Sequence, residues 1–147
     1  MSKLKYGLSI FTFIISFIFV KYIVGIGLKS YNTSNNEVNF NKILIETVSN
    51  LNSNLPMMID SETRLDNATG FNKILQYNNT LINYTANEIS VNDFFNALNQ
   101  KIINKVYTSK EMQIFLNNDI TIKYEYRGKN GKHIMVIDIT KSKCSTI

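Results

Sequence analysis

Cysteine, proline, histidine and tryptophan are almost absent from this chain of 147 residues, which contains one, one, one and none of them. A single cysteine, Cys144, cannot form an intramolecular disulfide. A single histidine, His133, excludes the paired-histidine metal motifs, and it follows a turn with no identifiable nucleophile beside it. The few glycines form no phosphate-binding loop. We therefore expect no enzyme, no cofactor, no metal and no catalytic residue.

The cysteine that is present lies in the C-terminal stretch KSKCSTI. Two interpretations stay open for Cys144. A thiol in an exported domain could bridge two chains, or it could remain reduced on a disordered tail, which the usual mobility of chain termini favours. A catalytic role is disfavoured, because a catalytic thiol needs a partner base held by structure.

The net charge of +5 suggests a nucleic-acid partner only until the basic residues are located. Four lysines flank or interrupt the apolar N-terminus: Lys3, Lys5, Lys21 and Lys29. The rest of the chain has 12 basic residues against 11 acidic ones, and no basic cluster remains to neutralise phosphates. The sequence predicts no nucleic-acid partner.

Residues Tyr6–Leu28 form an apolar run of 23 residues with Lys21 as its only charge. About 20 residues are enough to cross a bilayer as a helix, and the long stem of Lys21 can carry its ammonium group towards the headgroups. A cleaved signal peptide is the alternative. We favour an uncleaved anchor because no small-x-small cleavage site follows. The short basic N-terminus then stays inside, and the domain is extracytoplasmic on a bacterial inner membrane.

This pattern divides the chain into four parts: a transmembrane signal anchor (1–29), a polar linker (30–37), an extracytoplasmic domain (38–140) and a disordered tail (141–147). Apolar residues at helical spacing predict a helix over about Val38–Asn52. A second helix begins at Ser90, with a capping box to Asp93, and its predicted buried stripe includes Val91 and Phe95. A third begins at Thr108, with Glu111 completing the cap.

The remaining segments favour strands. Phe71–Thr85 is rich in residues that suit a pleated surface, Ile120–Tyr126 alternates cleanly, and His133–Ile139 returns after the glycine-containing RGKNGK connection. Runs of strands separated by helices predict an α+β fold, with about three helices packed on a mainly antiparallel sheet.

The stretch NLPMMIDSETRLDN, from Asn54 to Asn67, contains the only proline and four charged residues at alternate positions. In an extended chain, alternate side chains share a face. We therefore expect an edge strand or two short extended segments, with Ile59 and Leu65 facing inward and the charged residues facing outward: Asp60, Glu62, Arg64 and Asp66.

Three interpretations of these charges are open. The first is an ion-paired solvent edge, which also prevents sheet-to-sheet aggregation. The second is an edge that binds another protein. The third, a catalytic or metal site, is disfavoured because Arg64 repels a cation and no glycine-bearing calcium loop is present. Tyr124 and Tyr126 are a second candidate binding surface, for a sugar or peptide, unless they belong to the core.

The motifs LPMMIDSETRLD, YNNTLIN, SKEM and IKYEYRGKNGKHI resemble those of a group of small uncharacterised bacterial proteins with an N-terminal membrane or signal segment. The resemblance covers about Leu44–Ile139. Those proteins often carry one cysteine near the end of the second helix and another near the C-terminus, whereas this chain has Tyr107 and Cys144 there. The resemblance implies a bacterial envelope location and no particular activity.

The sequence thus predicts a membrane-tethered, non-enzymatic envelope protein whose domain binds another envelope protein. A secretion-system accessory factor similar to the pilotins is the second interpretation, and it would accept a partner helix in a groove between helices and sheet. A pilin-like subunit is disfavoured because Thr12 stands where the pilin glutamate is usual. An enzyme of unknown reaction is the remaining alternative, and it would need a pocket with convergent polar groups.

Overall fold

The computed structural model describes residues 40–142. Its elements, in chain order, are α1 (Phe40–Asn52), β1 (Met57–Met58), β2 (Thr63–Phe71), β3 (Ile74–Leu81), a 3-10 turn (Ala86–Glu88), α2 (Val91–Thr108), α3 (Lys110–Asn117), β4 (Thr121–Gly128) and β5 (His133–Ile139). The predicted membrane span Tyr6–Leu28 lies outside the described residues. Within 40–142, no helix has the length and apolar character needed to cross a membrane.

The five strands form one mixed sheet in the order β1-β2-β3-β4-β5. Three of the four strand pairs are antiparallel, and β3 pairs with β4 in parallel. A parallel pair needs a long crossover connection, which α2 and α3 provide here. The predicted small α+β domain with three helices and a mainly antiparallel sheet is confirmed.

All three helices cover the same face of the sheet. The helix α1 packs on β2, α2 on β5 and α3 on β4. Residues directly opposite each other on paired strands share a face, and the row Ala68, Tyr77, Tyr124 and Ile137 is buried across four strands. The core therefore lies in one layer between helices and sheet, and the opposite sheet face, which we call the open face, carries polar side chains.

Two helical predictions need correction. The third helix is capped by Ser109 rather than Thr108, because the Ser109 hydroxyl accepts a hydrogen bond from the backbone N–H of Met112. In α2 the buried residues are Phe94, Leu98, Ile102 and Val106, whereas Val91 and Phe95 are 45% and 38% exposed. The stripe of buried residues on α2 is narrower than the sequence pattern predicted, because only one row of its side chains reaches the sheet.

The cap predicted at Ser90 also differs from the structure. The Ser90 side chain makes no capping hydrogen bond. The capping interaction lies one turn earlier, where the backbone N–H and the hydroxyl of Thr85 both donate to Oε2 of Glu88. These hydrogen bonds lower the pKa of the Glu88 carboxyl. They fix the 3-10 turn that leads the chain into α2.

The predicted single strand Phe71–Thr85 is instead the end of one strand, a two-residue turn and a second strand. Asn72 and Lys73 adopt φ values of 48° and 60°, and such left-handed pairs match the twist of a β-hairpin. The last hairpin, β4–β5, follows the prediction, and Gly131 in its turn has φ 73°. Glycine is suited to that conformation because it has no Cβ.

Candidate functional site

Asp60 and Glu62 do not stand in the predicted row of charges. Asp60 lies in the connection between β1 and β2, where its Oδ1 accepts hydrogen bonds from the backbone N–H groups of Glu62 and Thr63 at 2.8 and 2.7 Å. The Glu62 carboxylate accepts a hydrogen bond from the hydroxyl of Tyr84 at 3.1 Å. Of the two expected arrangements, the structure has the two extended segments, β1 and β2. The expected single row of four charges is wrong, because Asp60 closes a tight turn before β2 begins.

Arg64 and Asp66 do share the open face of β2. Nε of Arg64 contacts Oδ1 of Asp66, and the other oxygen of Asp66 accepts a hydrogen bond from the hydroxyl of Thr80 on β3. The Arg64 side chain is 43% exposed and the Asp66 side chain 27%. Leu65, on the opposite face, is buried, as is Ile59. The pair forms a half-exposed link between two strands and gathers no further carboxylate.

Tyr124 and Tyr126 face the helices and are buried in the core. The ring of Tyr124 stacks on Tyr77 with 5.0 Å between centroids, and Tyr126 meets Phe94 edge-on at 5.3 Å. Burial raises the pKa of all three phenols well above the usual tyrosine value. These rings are positioned to fill the core, and no sugar- or peptide-binding surface is built from them in the described residues.

One polar atom of this aromatic layer has no visible partner. The hydroxyl of Tyr77 is buried and forms no hydrogen bond with the described protein atoms. Asp60 has a similar atom, because its Oδ2 is buried without a partner while Oδ1 holds the turn. The negative charge of Asp60 also contributes to the raised pKa of Tyr126. Tyr77 and Asp60 thus each place a buried polar atom in the core without a hydrogen-bond partner among the described residues.

A cluster of charges that the sequence did not reveal lies on the open face around Glu125. Its carboxylate accepts a hydrogen bond from Nε2 of Gln76 at 2.8 Å and contacts the guanidinium of Arg127. Nδ1 of His133 lies 3.6 Å away. The Glu125 side chain is only 11% exposed. Alternation along Ile120–Tyr126 could have placed Glu125 on this face, but not beside Gln76, because β3 and β4 lie far apart in sequence.

The same network continues across the sheet through amide side chains. Gln76 also donates to Asn78, and Asn78 donates to Asn67 on β2 at 2.6 Å. On the other side, Nζ of Lys123 lies 3.2 Å from Oδ2 of Asp138 on β5. Donors and acceptors on this face thus bond mainly to one another, which stabilises strand pairing rather than presenting free groups to a substrate.

Three large exposed apolar side chains lie on the described helices: Ile45, Val91 and Phe95. Val91 and Phe95 are one helical turn apart on α2, so their side chains are neighbours on the helix surface. Ile45 on α1 is 59% exposed and stands among charged neighbours. The sequence pattern placed Val91 and Phe95 in the core, and only the packing of α2 identifies them as surface residues.

An open cleft of about 400 Å³ lies at the sheet end where β4 begins and β5 finishes. Its lining residues are Asp119, Ile120, Thr121, Thr140, Lys141 and Ser142. None of the site residues predicted from the sequence contributes to it. Among residues 40–142, no group of three or more His, Cys, Asp or Glu side chains could hold a metal ion.

A family model described as a domain of unknown function (DUF8479) matches residues 39–136. No curated protein sequence matches at a significant level.

Three solved structures share the fold. A candidate secreted protein from Pseudomonas aeruginosa is 12% identical, with a TM-score of 0.63 over 77% of this chain and 99% of that one. The type 2 secretion system pilotin EpsS from Vibrio vulnificus is 10% identical, with a TM-score of 0.56 over 71% of this chain and 90% of its own. The type II secretion system pilotin AspS from Vibrio cholerae is 16% identical, with a TM-score of 0.55 over 72% and 93%. At these identities the likeness shows the fold.

Proposed function

The chain belongs to the DUF8479 family, and from that premise we propose that it is a pilotin-like accessory protein of the bacterial envelope. Its domain binds a component of a secretion system and catalyses no reaction. The N-terminal segment tethers it to the inner membrane, so that the domain works outside the cytoplasm.

The observation that carries this proposal is the extent of the structural match. The α+β domain aligns with 90% and 93% of two pilotin chains, so the shared part is nearly the whole of each pilotin rather than a common substructure. A fold alone does not imply a function, since one architecture hosts many activities. The proposal therefore also rests on the surfaces that this chain presents.

The proposed binding surface is the N-terminal half of α2, around Val91 and Phe95. Contiguous exposed apolar surface marks protein interaction sites, and Val91 and Phe95 supply two adjoining side chains of that kind. An amphipathic segment of a partner could place its apolar residues on them, as in helix recognition by a groove. The structured turn Thr85–Glu88 holds the start of α2 in place, which lowers the entropic cost of binding there.

The polar network of the open face supports binding over catalysis. Glu125, the most enclosed carboxylate of that network, already accepts from Gln76 and contacts Arg127. An acid or base in catalysis needs a free lone pair or proton directed at substrate. The groups around Glu125 are directed at each other instead.

The location rests on the sequence. The apolar run Tyr6–Leu28 is long enough to span a bilayer. Washing membranes with alkaline carbonate should leave the full-length chain in the pellet. Complete release into the supernatant would contradict an integral anchor.

Binding can be tested by crosslinking in the source bacterium, followed by affinity purification of the tagged full-length protein and mass spectrometry. We expect one secretion-system component to be enriched with the wild type. Val91→Asp and Phe95→Asp should each reduce its recovery at least tenfold, because an unpaired charge at an apolar contact must be desolvated.

Ile45→Asp is the matched control, since it places the same charge at an exposed apolar position on α1. Its recovery should equal that of the wild type. Equal recovery from all three variants would show that α2 is not the binding surface. Recovery of no secretion-system component by the wild type would contradict the pilotin-like function itself.

A further inference from the structure

The two edges of the sheet differ in how they are protected. At one edge, β1 has only two residues, pairs with Leu65 and Arg64 alone, and follows Pro56. Beyond it, the side-chain amide of Asn52 donates to the carbonyl of Ala68 at 2.8 Å and accepts from its N–H at 2.7 Å. The amide takes the hydrogen bonds that a further strand would make, and so closes that part of the β2 edge.

The other edge is interrupted only near its start, where the register of β4 and β5 shifts between Tyr126 and Arg127 and leaves Ile134 without an opposite residue. The strand β5, His133–Ile139, has seven residues and is the last strand of the sheet, with no described strand beyond it. Its sequence HIMVIDI contains no lysine, arginine or proline, and lysine and proline are the usual means of preventing edge pairing. One hydrogen bond, from the Tyr107 hydroxyl to the Thr140 carbonyl at 2.7 Å, lies just past its end. The regular part of the strand, from Met135 to Ile139, is a template for another strand.

We propose that β5 pairs antiparallel with β5 of a second copy of this chain, which joins the two sheets into one across a two-fold axis at Val136. The inference is independent of the proposed secretion-system partner. A two-fold axis requires a surface that complements itself, and the three central residues of β5, Met135, Val136 and Ile137, meet that requirement.

The register follows from the faces of β5. Residues directly opposite in an antiparallel pair share a face, so an axis at Val136 places Met135 opposite the second copy's Ile137 on the helical face. On the open face, Val136 meets its own counterpart. Val136 is 37% exposed, whereas Met135 and Ile137 are buried beneath the helices. Pairing would therefore cover the central apolar side chain that the single chain leaves in water.

A second copy fits this edge better than an unrelated charged segment. The only acidic residue of the strand, Asp138, already contacts Lys123 within the chain, so it does not need a basic residue from an incoming strand. The central residues Met135, Val136 and Ile137 are all apolar, so an antiparallel second copy places apolar side chains opposite apolar side chains. Under the proposed membrane tether, a second copy would also be supplied at high local concentration.

Site-directed crosslinking tests the axis directly. In a Cys144→Ser background, the full-length chain in mild detergent would carry Val136→Cys, which brings two thiols together across the axis. Oxidation should give a disulfide-linked dimer on a non-reducing gel at least tenfold faster than Thr69→Cys in the same background. Thr69 is the matched control because it is exposed on the same open face but on β2.

The mass of the complex gives a second measurement. Light scattering corrected for detergent should give twice 16.9 kDa for the wild type, and the mass of one chain for Val136→Lys, because two ammonium groups would meet at the axis. Circular dichroism checks that Val136→Lys remains folded. A monomeric wild type, or equal crosslinking rates for the two cysteine variants, would overturn the proposal.

Discussion

Gly70 of β2 lies directly beneath Leu44 of α1, and the space between them does not admit a methyl group. A Cβ on Gly70 would lie 2.8 Å from Cγ of Leu44, 2.8 Å from Cγ2 of Val48 and 3.2 Å from the Leu44 carbonyl oxygen. Side chains can adjust, but the backbone oxygen cannot move without shifting the helix. The absence of a side chain at Gly70 thus sets how closely α1 packs on the sheet.

Gly70→Ala should lower the free energy of unfolding by about 1–3 kcal/mol, because overpacking a dense interface forces side chains or backbone out of place. Urea denaturation followed by circular dichroism measures the change. The double variant Gly70→Ala with Val48→Ala should cost less than the sum of the two single changes, since truncating Val48 removes one of the clashes. Additive effects would show that the alanine is accommodated elsewhere.

A second prediction concerns the side-chain amide of Asn52, at the end of α1 next to β2. Asn52→Ala removes both hydrogen bonds to Ala68 and leaves the N–H and C=O groups of Ala68 without a protein partner. The free energy of unfolding should fall by about 1–3 kcal/mol. Asn50→Ala, at an exposed position of the same helix, should change stability by less than about 0.5 kcal/mol. Equal values for the two variants in urea denaturation would refute a structural role for the Asn52 amide.

Arg64 and Leu65 are adjacent on β2 but point to opposite faces, so alanine should cost much less stability at Arg64 than at Leu65. Arg64→Ala removes a half-exposed ion pair and should cost on the order of 1 kcal/mol or less. Leu65→Ala opens a cavity at a buried position and should cost roughly 2–5 kcal/mol. Urea unfolding curves of the two variants measure these losses of stability. A larger loss for Arg64→Ala than for Leu65→Ala would mean that the face of β2 carrying Arg64 stabilises the fold.

Local sequence patterns predicted most of the elements because their signals are short-range. Alternation placed β4 and β5, and the glycine-containing connection placed the hairpin between them. Prediction failed where a second local tendency of the same residue competed with the pattern used for the prediction. Asp60 fits an extended pattern by parity, yet an aspartate side chain can also accept from the backbone two and three residues on, and here it does.

The candidate surfaces were less predictable than the fold, because they depend on contacts between distant segments. Nothing near Gln76 in sequence indicates that Glu125 lies opposite, since the parallel pairing of β3 and β4 is created by the α2–α3 crossover. Likewise, Phe95 continues the apolar pattern of α2. Its exposure follows from the angle at which the helix packs, which no spacing rule specifies.

A further prediction concerns Tyr77, whose buried hydroxyl has no hydrogen-bond partner among the described protein atoms. At neutral pH, Tyr77→Phe should leave stability unchanged or raise it by about 1 kcal/mol, because the variant keeps the stacked ring and removes a desolvated polar atom. Tyr84→Phe is the control, since that hydroxyl donates to Glu62. It should lower stability by about 0.5–1.5 kcal/mol. A loss of stability on Tyr77→Phe equal to that control would show that the hydroxyl has a partner.

Tyr77 is also one of three buried phenols that make stability fall in alkali. In the folded protein, burial raises the pKa of Tyr77, Tyr124 and Tyr126. In the unfolded chain the same phenols ionise at about pH 10. Above that pH the unfolded state binds fewer protons than the folded state, so linkage requires stability to fall as pH rises. The slope that each such phenol contributes approaches about 1.4 kcal/mol per pH unit as the unfolded phenols become ionised above about pH 10. Urea midpoints measured between about pH 9 and 11.5 should therefore decline less steeply for Tyr77→Phe than for the wild type, because one of the three phenols is gone. Identical slopes for the two proteins would mean that Tyr77 ionises normally in the folded protein.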